Sequence, residues 1–343
     1  MIRLENPPSR FERHWVEYCG EAPRVGLELY EDQSQKILSE NESPDLPFRF
    51  SLNAYRGCFH GCSYCYARPS HEYLGFGAGT DFERRILVKP RAASLLRSAF
   101  DHPSWKGELV LMSGNTDAYQ LVEATQRLTR ACLEVFLEYR NPLHIITKSP
   151  LIERDLDLLA EIARATELGV SISLPFLDPV TARALEPYAA APSRRLETIR
   201  RLVNVGVSVS VNVAPVVPGL SDRDVPRVLQ AVRDAGATRV GMILLRLPGP
   251  VAHVFDERLK SELPLARERI LARTREVRNG RLNDARFGAR MQGEGRYADS
   301  IWQLFRTSAA RLGLEVEDGG ARLPGATRFR RPHDRGGQLR LFD

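Results

Sequence analysis

Between residues 46 and 250, short apolar segments alternate with longer amphipathic ones, and this alternation restricts the fold more than any other feature of the chain. The short segments are rich in valine, isoleucine and leucine, as β-strands are, whereas the longer ones carry apolar residues at helical spacing. Six strands separated by helices imply parallel strands with right-handed crossovers. The sequence therefore predicts an α/β fold, built either on an open sheet or on a barrel.

The predicted elements divide the chain into four parts. Residues 1–45 are polar and broken by prolines, which predicts an irregular N-terminal arm, and residues 46–250 form the core. Residues 251–318 are predicted to be a small helical C-terminal extension, and 319–343 a flexible tail rich in Gly, Pro and Arg. The predicted strands are 48–53, 108–112, 143–147, 170–174, 207–213 and 239–245. The predicted helices are 89–100, 121–139, 153–166, 193–205, 222–235, 255–278 and 301–312.

Three of the five cysteines, Cys58, Cys62 and Cys65, lie within eight residues directly after the first predicted strand. Three thiolates spaced in this way can bind three irons of a [4Fe–4S] cluster and leave the fourth iron open, whereas clusters that only carry electrons usually have four cysteines. The alternative is a structural zinc ion with His60 as fourth ligand. Zinc prefers paired ligands, and the chain has no second cysteine pair.

Charge and hydropathy limit the partners of the chain. The net charge of +6 is carried mostly by arginine, which pairs with phosphate in a bidentate manner and indicates a polyanionic partner. The alternative is that arginine merely replaces lysine on solvated faces. No apolar run approaches the roughly 20 residues needed to cross a bilayer, and the polar N-terminus has no features of a secretory signal. These features predict a cytoplasmic protein.

The cysteine spacing, with an aromatic residue before the third cysteine, resembles the radical S-adenosylmethionine superfamily. The resemblance covers roughly residues 46–250 and implies a partial (β/α)6 barrel of the TIM type. It also implies two cofactors, a [4Fe–4S] cluster and S-adenosylmethionine, and an electron donor. In that family, reductive cleavage of S-adenosylmethionine yields a 5′-deoxyadenosyl radical, which abstracts a hydrogen atom from the substrate.

A narrower resemblance is to the branch of spore photoproduct lyase-like, DNA-repair-photolyase-type enzymes. The matching stretches recur along the predicted barrel at 51–58, 64–69, 71–75, 116–120, 147–149, 186–187 and 214–219. Nucleic acid is the substrate class that this resemblance implies.

The resemblance also implies cofactor contacts after the second strand. Thr116 and Asp117 correspond to a Ser-Asp pair of the lyase in which the hydroxyl helps to hold S-adenosylmethionine. Ser113 and Gly114 precede them and are expected to contact the cofactor as well. The cysteine loop and residues 113–117 both follow strands, so we expect them at one rim of the barrel.

Further residues carry over from other positions. Lys148 and Ser173, at the ends of strands three and four, match a lysine and a serine of the lyase with similar cofactor roles. Arg195 is predicted to pair with a carboxylate, or alternatively to be a solvated helix charge. Tyr64 and Tyr66 match tyrosines that flank the third cysteine of the lyase, where a phenol can relay a hydrogen atom. The alternative role of both tyrosines is packing around the cluster.

One departure from the lyase concerns the fate of the radical. The lyase carries a hydrogen-donor cysteine two residues before its Ser-Asp pair, and the corresponding position here is Gly114. Cys132 falls on the buried stripe of a helix, where a cysteine usually acts as a small core residue. Cys19 lies in the N-terminal arm. Repair of spore photoproduct by the mechanism of the lyase is therefore not expected.

The chain ends in a short motif that includes Gln338, Leu339, Leu341 and Phe342. It resembles the peptide by which bacterial DNA polymerases and repair proteins bind the DNA sliding clamp, with the apolar side chains entering a pocket. The alternative is that this segment docks on its own domain. The arginines of the tail would suit contacts with phosphate; they are Arg322, Arg328, Arg330, Arg331 and Arg335.

Three functions are compatible with these features. The first is a radical enzyme that acts on DNA, in repair of a damaged base or linkage. The second uses the same chemistry on RNA, a protein or a small molecule. The third is a non-catalytic protein in which the iron–sulfur cluster is structural.

Overall fold

The computed structural model of the chain describes residues 26–317 and 327–332, and the following bounds refer to those residues. The strands are β1 (Glu28–Glu31), β2 (Leu38–Glu40), β3 (Phe50–Leu52), β4 (Tyr55–Arg56), β5 (Arg85–Val88), β6 (Val110–Met112), β7 (Leu143–Thr147), β8 (Leu168–Ser173), β9 (Ser208–Val216), β10 (Arg239–Leu244) and β11 (Glu315–Val316).

The helices mostly connect consecutive strands of one large sheet. They are α1 (Thr80–Arg84), α2 (Ala92–Asp101), α3 (Glu123–Gln126), α4 (Leu128–Tyr139), α5 (Leu156–Ala165), α6 (Pro179–Leu185), α7 (Pro192–Asn204), α8 (Val225–Asp234), α9 (Val251–Glu262), α10 (Pro264–Glu276), α11 (Ala289–Gln292) and α12 (Arg296–Arg311). Three 3-10 helices cover Arg68–Leu74, Pro150–Asp155 and Asp222–Asp224.

The large sheet has eight strands in the order β11-β10-β9-β8-β7-β6-β3-β2. The six predicted strands are β3 and β6 to β10, and each of them pairs in parallel with its neighbour. β11 extends the parallel series at one edge, whereas β2 is antiparallel to β3 at the other. The sheet therefore stays open, which confirms the predicted α/β fold and is consistent with a partial barrel.

The two faces of the sheet differ in chemistry. Val170 and Ile172 of β8 are buried in the core that the helices share with the sheet. Successive residues of a strand point to opposite faces, so Ser171 and Ser173 face the inside of the half-barrel. Ser171 hydrogen-bonds Ser210 of β9 there, with 2.6 Å between the hydroxyl oxygens. Alternating valine and serine thus build an apolar outside and a polar inside.

Two predicted helices are interrupted. The predicted helix 121–139 is divided into α3 and α4 at Arg127, whose φ of 54° lies in the left-handed region. The predicted helix 255–278 is divided into α9 and α10 at Pro264, because proline has no backbone N–H and clashes with the preceding turn. The apolar residues keep their helical spacing across both interruptions, so the sequence pattern does not reveal them.

The predicted arm contains regular structure in its described part. β1 pairs in parallel with β5, which is antiparallel to β4, so the three strands form a second, small sheet. β2 adds to the large sheet. The prediction of an irregular arm is therefore wrong for these residues.

Residues 327–332 pack against the helices of the barrel, contrary to the predicted flexible tail. Phe329 lies against Phe100 and Tyr139, with ring centroids 6.1 and 6.3 Å apart. The guanidinium of Arg331 donates to the backbone carbonyls of Phe100, His102 and Trp105. Arg331 is therefore engaged within the protein, which corrects its expected role as a phosphate contact.

Candidate active site

The segment Cys58–Cys65, here called the cysteine loop, follows β4 and is shaped by two glycines. Gly57 and Gly61 have φ values of 81° and 66°, which L side chains rarely adopt. A Cβ on Gly57 would lie 2.9 Å from the carbonyl oxygen of Phe82, and one on Gly61 would lie 2.9 Å from the ring of Tyr188. Both glycines are therefore required by conformation and by close packing.

All three thiols of the loop are free; Cys58 and Cys62 are buried, and Cys65 is half-buried. Burial raises the pKa of Cys62 to about 12. Burial likewise raises the pKa of Cys58 well above its ordinary value, although the backbone N–H of Asp117 hydrogen-bonds the sulfur and opposes this shift. A positive metal centre would offset the cost of burying the thiolates.

The loop fits a cluster better than a single ion. Within the described residues, no three His, Cys, Asp or Glu side chains converge as the ligands of one metal ion would. In a [4Fe–4S] cluster each thiolate binds a separate iron, so the sulfur atoms need not converge on one point. Cys58, Cys62 and Cys65 are the residues that would hold the cluster.

A buried arginine, Arg68, fixes the backbone of the cysteine loop. The guanidinium of Arg68 donates to the carbonyl oxygen of Cys62 at 2.9 Å and to that of Gly61 at 3.1 Å. It also pairs with Glu83 at 2.5 Å, and neither side chain is exposed by more than 6%. The cysteines are thus held by a buried charge pair.

Gln120 holds the other side of the loop. Its side-chain oxygen accepts from the backbone N–H of Phe59 at 2.9 Å, and its side-chain amide donates to the carbonyl of Gly57 at 3.1 Å. Gln120 follows β6, so this amide connects the rim after the second parallel strand to the cysteine loop.

Asp117 connects three parts of the rim. Its carboxylate accepts from the Thr147 hydroxyl at 2.7 Å and from the backbone N–H of Lys148 at 2.8 Å. The ring of His60 approaches the same carboxylate, with Nδ1 to Oδ2 at 3.3 Å. Asp117 is therefore engaged by protein groups from β7 and the cysteine loop, which supports a positioning role at the predicted cofactor site. His60 is turned toward Asp117, and burial lowers its pKa.

The segment before Asp117 is tied to β4. The hydroxyl of Thr116 donates to the carbonyl of Tyr55 at 3.1 Å and keeps its lone pairs as acceptors. Ser113 has a φ of 80°, and its hydroxyl accepts from the N–H of Ala118 at 2.9 Å. A Cβ on Gly114 would meet its nearest neighbouring atom at 3.6 Å, an ordinary contact. The loop therefore has room for a Cβ at position 114.

The structure brings Tyr64, Lys148 and Arg195 together around a buried carboxylate, that of Glu186. The Tyr64 hydroxyl and the Arg195 guanidinium both hydrogen-bond this carboxylate. The ammonium of Lys148 lies 3.9 Å from it. Burial alone would raise the pKa of Glu186, but Arg195 and Lys148 hold that pKa below its ordinary value. The site thus contains a fixed carboxylate between two cations.

Arg195 also organises the end of β8. Its guanidinium donates to the backbone carbonyl of Ser173 at 3.0 Å and to that of Ala190 at 2.8 Å. With 1% of its surface exposed, Arg195 is not the solvated helix charge that was the alternative. Its carboxylate partner is Glu186.

Tyr66 has a different environment from Tyr64. It is 49% exposed, and its hydroxyl hydrogen-bonds the backbone carbonyl of Gly114. The guanidinium carbon of Arg246, which follows β10, lies 5.1 Å from the centroid of the Tyr66 ring. Tyr66 thus connects the ends of the second and sixth parallel strands at the rim.

Sequence reasoning did not select Arg68, Gln120 or Glu186 as site residues. Each lies within or beside a stretch that matched the photolyase-like branch, which was the only signal available. Their partners are distant in the chain, since Tyr64 and Glu186 are separated by 122 residues.

Several predicted residues lie elsewhere. Gln338, Leu339, Leu341 and Phe342 are outside the described residues, as is Cys19. Cys132 is fully buried in the core of the barrel, as expected from its helical position.

Comparison with known proteins identifies the family. The model of the radical SAM superfamily matches residues 52–232, slightly more than half of the chain. Uncharacterized proteins of Mycobacterium tuberculosis and Mycobacterium bovis are 41% identical over 206 residues, 60% of this chain and 61% of theirs. An uncharacterized protein of Acidianus two-tailed virus is 32% identical over 202 residues, 56% of this chain and 65% of that protein. The chain thus spans less than two thirds of these relatives.

Solved structures agree on the fold. Spore photoproduct lyase complexed with dinucleoside spore photoproduct superimposes with a TM-score of 0.58 at 16% identity, covering 84% of this chain and 81% of that one. A mutant of that lyase with bound S-adenosylmethionine gives a TM-score of 0.55.

The chain belongs to the radical SAM superfamily. Its cofactors are those of the family, a [4Fe–4S] cluster and S-adenosylmethionine. When bound, they would supply a carbon-centred radical for the removal of a hydrogen atom from a substrate. The protein holds the cysteine loop rigid through Arg68 and Gln120, and it keeps charged groups fixed around Glu186. No helix of residues 26–317 or 327–332 is long and apolar enough to cross a membrane.

Proposed function

We propose that this radical SAM enzyme acts on nucleic acid, at a damaged or modified nucleotide, and that Tyr66 is its hydrogen-relay residue. The observation that carries the proposal is the half-exposed Tyr66 at the rim, with its hydroxyl on the carbonyl of Gly114. Gly114 is the position where the lyase has its donor cysteine. A phenol that reaches this position can replace a thiol as the group that faces the substrate radical.

The substrate class is supported by fold and charge together. The lyase whose fold this chain shares is complexed with a dinucleoside lesion. The net charge of +6 favours a polyanion over a neutral small molecule. Because position 114 has space for a Cβ, the absent thiol is not imposed by packing. The reaction is therefore expected to differ from spore photoproduct repair.

Isotope transfer tests the substrate class. The anaerobically reconstituted, reduced enzyme is incubated with S-adenosylmethionine and one C–H-deuterated pool at a time: DNA carrying ultraviolet lesions, RNA, peptides or cell metabolites. We expect deuterium in 5′-deoxyadenosine with nucleic acid only. Deuterium from peptides or metabolites alone would contradict the proposal and favour the second function. No cleavage of S-adenosylmethionine at all would favour a structural cluster.

Two matched substitutions test the tyrosines. Tyr66→Phe should still release 5′-deoxyadenosine and should lose product, because the ring remains and only the O–H is removed. Tyr64→Phe removes a donor from buried Glu186 and is expected to weaken S-adenosylmethionine binding instead. Equal product yield from Tyr66→Phe and the unaltered enzyme would remove Tyr66 from the proposed relay.

We also propose that the C-terminal motif binds the sliding clamp, which would bring the enzyme to DNA. Arg331 and Phe329 fix the chain on the barrel shortly before the motif begins. Purified clamp should capture the full chain but not a Leu341→Ala/Phe342→Ala variant. Arg340→Ala, at the variable position of the motif, is the control and should bind. Equal capture of both variants would exclude this contact.

A further inference from the structure

Arg246 is a half-buried cation that the described residues leave without a carboxylate. It follows β10 at the rim and contacts the ring of Tyr66, 5.1 Å from the guanidinium carbon to the ring centroid. Within residues 26–317 and 327–332 its side chain makes no hydrogen bond and no ion pair. Burial lowers its pKa, and the neighbouring charge of Arg290 adds to this shift.

The Asp45 carboxylate, whose charge acts on Arg246, is already paired with another arginine. Asp45, in the connection from β2 to β3, accepts from Arg290 at 2.7 Å and from the N–H of Gly288 at 3.3 Å. The ion pair of Asp45 with Arg290 is largely buried, with side-chain exposures of 12% and 16%. A cation that is partly desolvated and unpaired is stabilised by any anion that reaches it.

A basic cleft in the C-terminal extension lies beside the end of β10. Buried Arg278 donates to the backbone carbonyls of Leu244 and Leu245, at the end of β10. Arg278 is also close enough for Arg246 to contribute to lowering its pKa, after burial. The cleft has a volume of about 500 Å³, and its lining includes Arg278, Asn279, Arg281, Asn283, Asp284 and Arg286.

The charges of the cleft are only partly balanced. Arg286 pairs with Asp284 and with Glu294 at 2.6 and 2.9 Å. Exposed Arg281 has no ion pair among the residues that the structure describes. Arg246 and Arg281 are therefore two guanidinium groups available to an external anion.

We propose that Arg246 and the cleft at Arg281 bind phosphates of a polynucleotide whose reacting nucleotide lies against Tyr66. This inference rests on the proposed function and names the contact for the backbone of the substrate. The same guanidinium chemistry would also suit the carboxylate of S-adenosylmethionine. Arg246 contacts the ring of Tyr66, whose hydroxyl lies on the carbonyl of Gly114, whereas Lys148 and Arg195 surround Glu186. Because the ring of Tyr66 is half-exposed, we favour the phosphate of a macromolecule at Arg246.

The test uses a fluorescein-labelled 12-nucleotide single strand and the reconstituted, full-length enzyme. Binding is followed by anisotropy between 50 and 300 mM salt, roughly the range in which phosphate contacts are strongly salt-dependent. Arg246→Gln and Arg281→Gln are each expected to weaken binding about tenfold, the equivalent of one charge-assisted hydrogen bond, and to lower the salt slope by about one. Arg227→Gln, an exposed arginine of α8, should leave binding unchanged.

Further outcomes distinguish a phosphate of nucleic acid from the carboxylate of S-adenosylmethionine as the anion bound by Arg246. The affinity for S-adenosylmethionine is measured by EPR of the reduced cluster. Unchanged oligonucleotide binding by Arg246→Gln, with a weakened S-adenosylmethionine affinity, would overturn the proposal in favour of the cofactor carboxylate. Arg246→Lys keeps the charge and should retain most of the binding, which controls for misfolding. Unchanged affinity for both ligands would also overturn it.

Failure of this proposal can be distinguished from failure of the proposed function. If deuterium is transferred from nucleic acid but Arg246→Gln does not change oligonucleotide binding, the proposed function stands and the proposed phosphate site is refuted. If Arg246→Gln binds the oligonucleotide more weakly but deuterium is transferred only from peptides or metabolites, Arg246 belongs to an anion site. Nucleic acid is then refuted as the substrate.

Discussion

Replacement of Glu186 by glutamine should expose how much the buried charge cluster contributes to stability. Removal of one partner from a buried ion pair costs about 3–5 kcal/mol, because the other charge remains buried. Arg195 keeps two backbone carbonyl acceptors, and glutamine still offers one oxygen to either Tyr64 or Arg195. We therefore expect the lower end of that range, about 3 kcal/mol of unfolding free energy at pH 7.5.

This cost should depend on pH with a defined sign. Against the effect of burial, Arg195 and Lys148 hold the pKa of Glu186 below its ordinary value of 4.5. A carboxyl group with a lowered pKa in the folded state stabilises the protein above its unfolded pKa, and that contribution is lost as the pH falls through the folded value. The difference from Glu186→Gln should therefore shrink as the pH falls below 4.5 toward the lowered pKa of Glu186.

Urea unfolding of the anaerobic holoenzyme, followed by circular dichroism from pH 7.5 to pH 4, measures both effects. The control is Glu197→Gln on α7, whose carboxylate pairs with Arg201 while 41% exposed. An exposed pair contributes about 0–1 kcal/mol, so this variant should unfold close to wild type. A loss below about 1 kcal/mol for Glu186→Gln at pH 7.5, or a loss that does not shrink at all as the pH is lowered, would refute the assigned charge cluster.

Three further predictions follow from packing. Gly61→Ala should lower the iron content after reconstitution and the urea midpoint, because its Cβ would lie 2.9 Å from Tyr188. Gly75→Ala shares the positive φ but has open space, so a larger effect at Gly75 would contradict the steric argument. Gly114→Cys should leave the urea midpoint unchanged, and a marked loss would show that the site lacks the space inferred here. Phe329→Ala should cost roughly 1–2 kcal/mol in the same assay, less than a fully buried phenylalanine, whereas no change would mean that the docked segment contributes nothing.

The core of the fold could be predicted because its signals are local. β7 spans Leu143–Thr147 as predicted, and β9 and β10 differ from prediction by a few residues at their ends. All three strands are rich in valine, isoleucine or leucine, and in β9 valine alternates with serine, asparagine and alanine, a pattern that depends only on the strand itself. Parallel pairing then follows from the helices between the strands.

The small sheet could not be predicted in the same way. β1 pairs with β5, although more than 50 residues separate them in the sequence. β4 has only two residues, and β11 likewise adds a two-residue strand to the edge of the large sheet. Strands this short carry no periodic pattern, so only their partners define them.

Only the part of the site that lies on the cysteine loop could be predicted from the sequence. Cysteine spacing is visible in the sequence, whereas the residues that fix the loop are not. Glu186 has no local feature that marks it as buried between two cations, because Lys148 and Arg195 come from different strand–helix units. The sequence leaves open whether Arg195 pairs with a carboxylate or is a solvated charge, because its contact with Glu186 is not visible in the sequence.

Tyr64 and Tyr66 share a sequence context, yet the structure gives them different chemistry. The hydroxyl of Tyr64 is buried on a carboxylate, and burial together with the charge of Glu186 raises its pKa well above the ordinary value. Tyr66 donates to a neutral backbone carbonyl, which cannot take its proton, and half of its surface is exposed. Hydrogen-atom transfer requires contact between donor and substrate, and a macromolecule approaching the rim can touch only the exposed ring. The substitution Tyr66→Phe should therefore affect the fate of the substrate, whereas Tyr64→Phe should affect the assembly of the site.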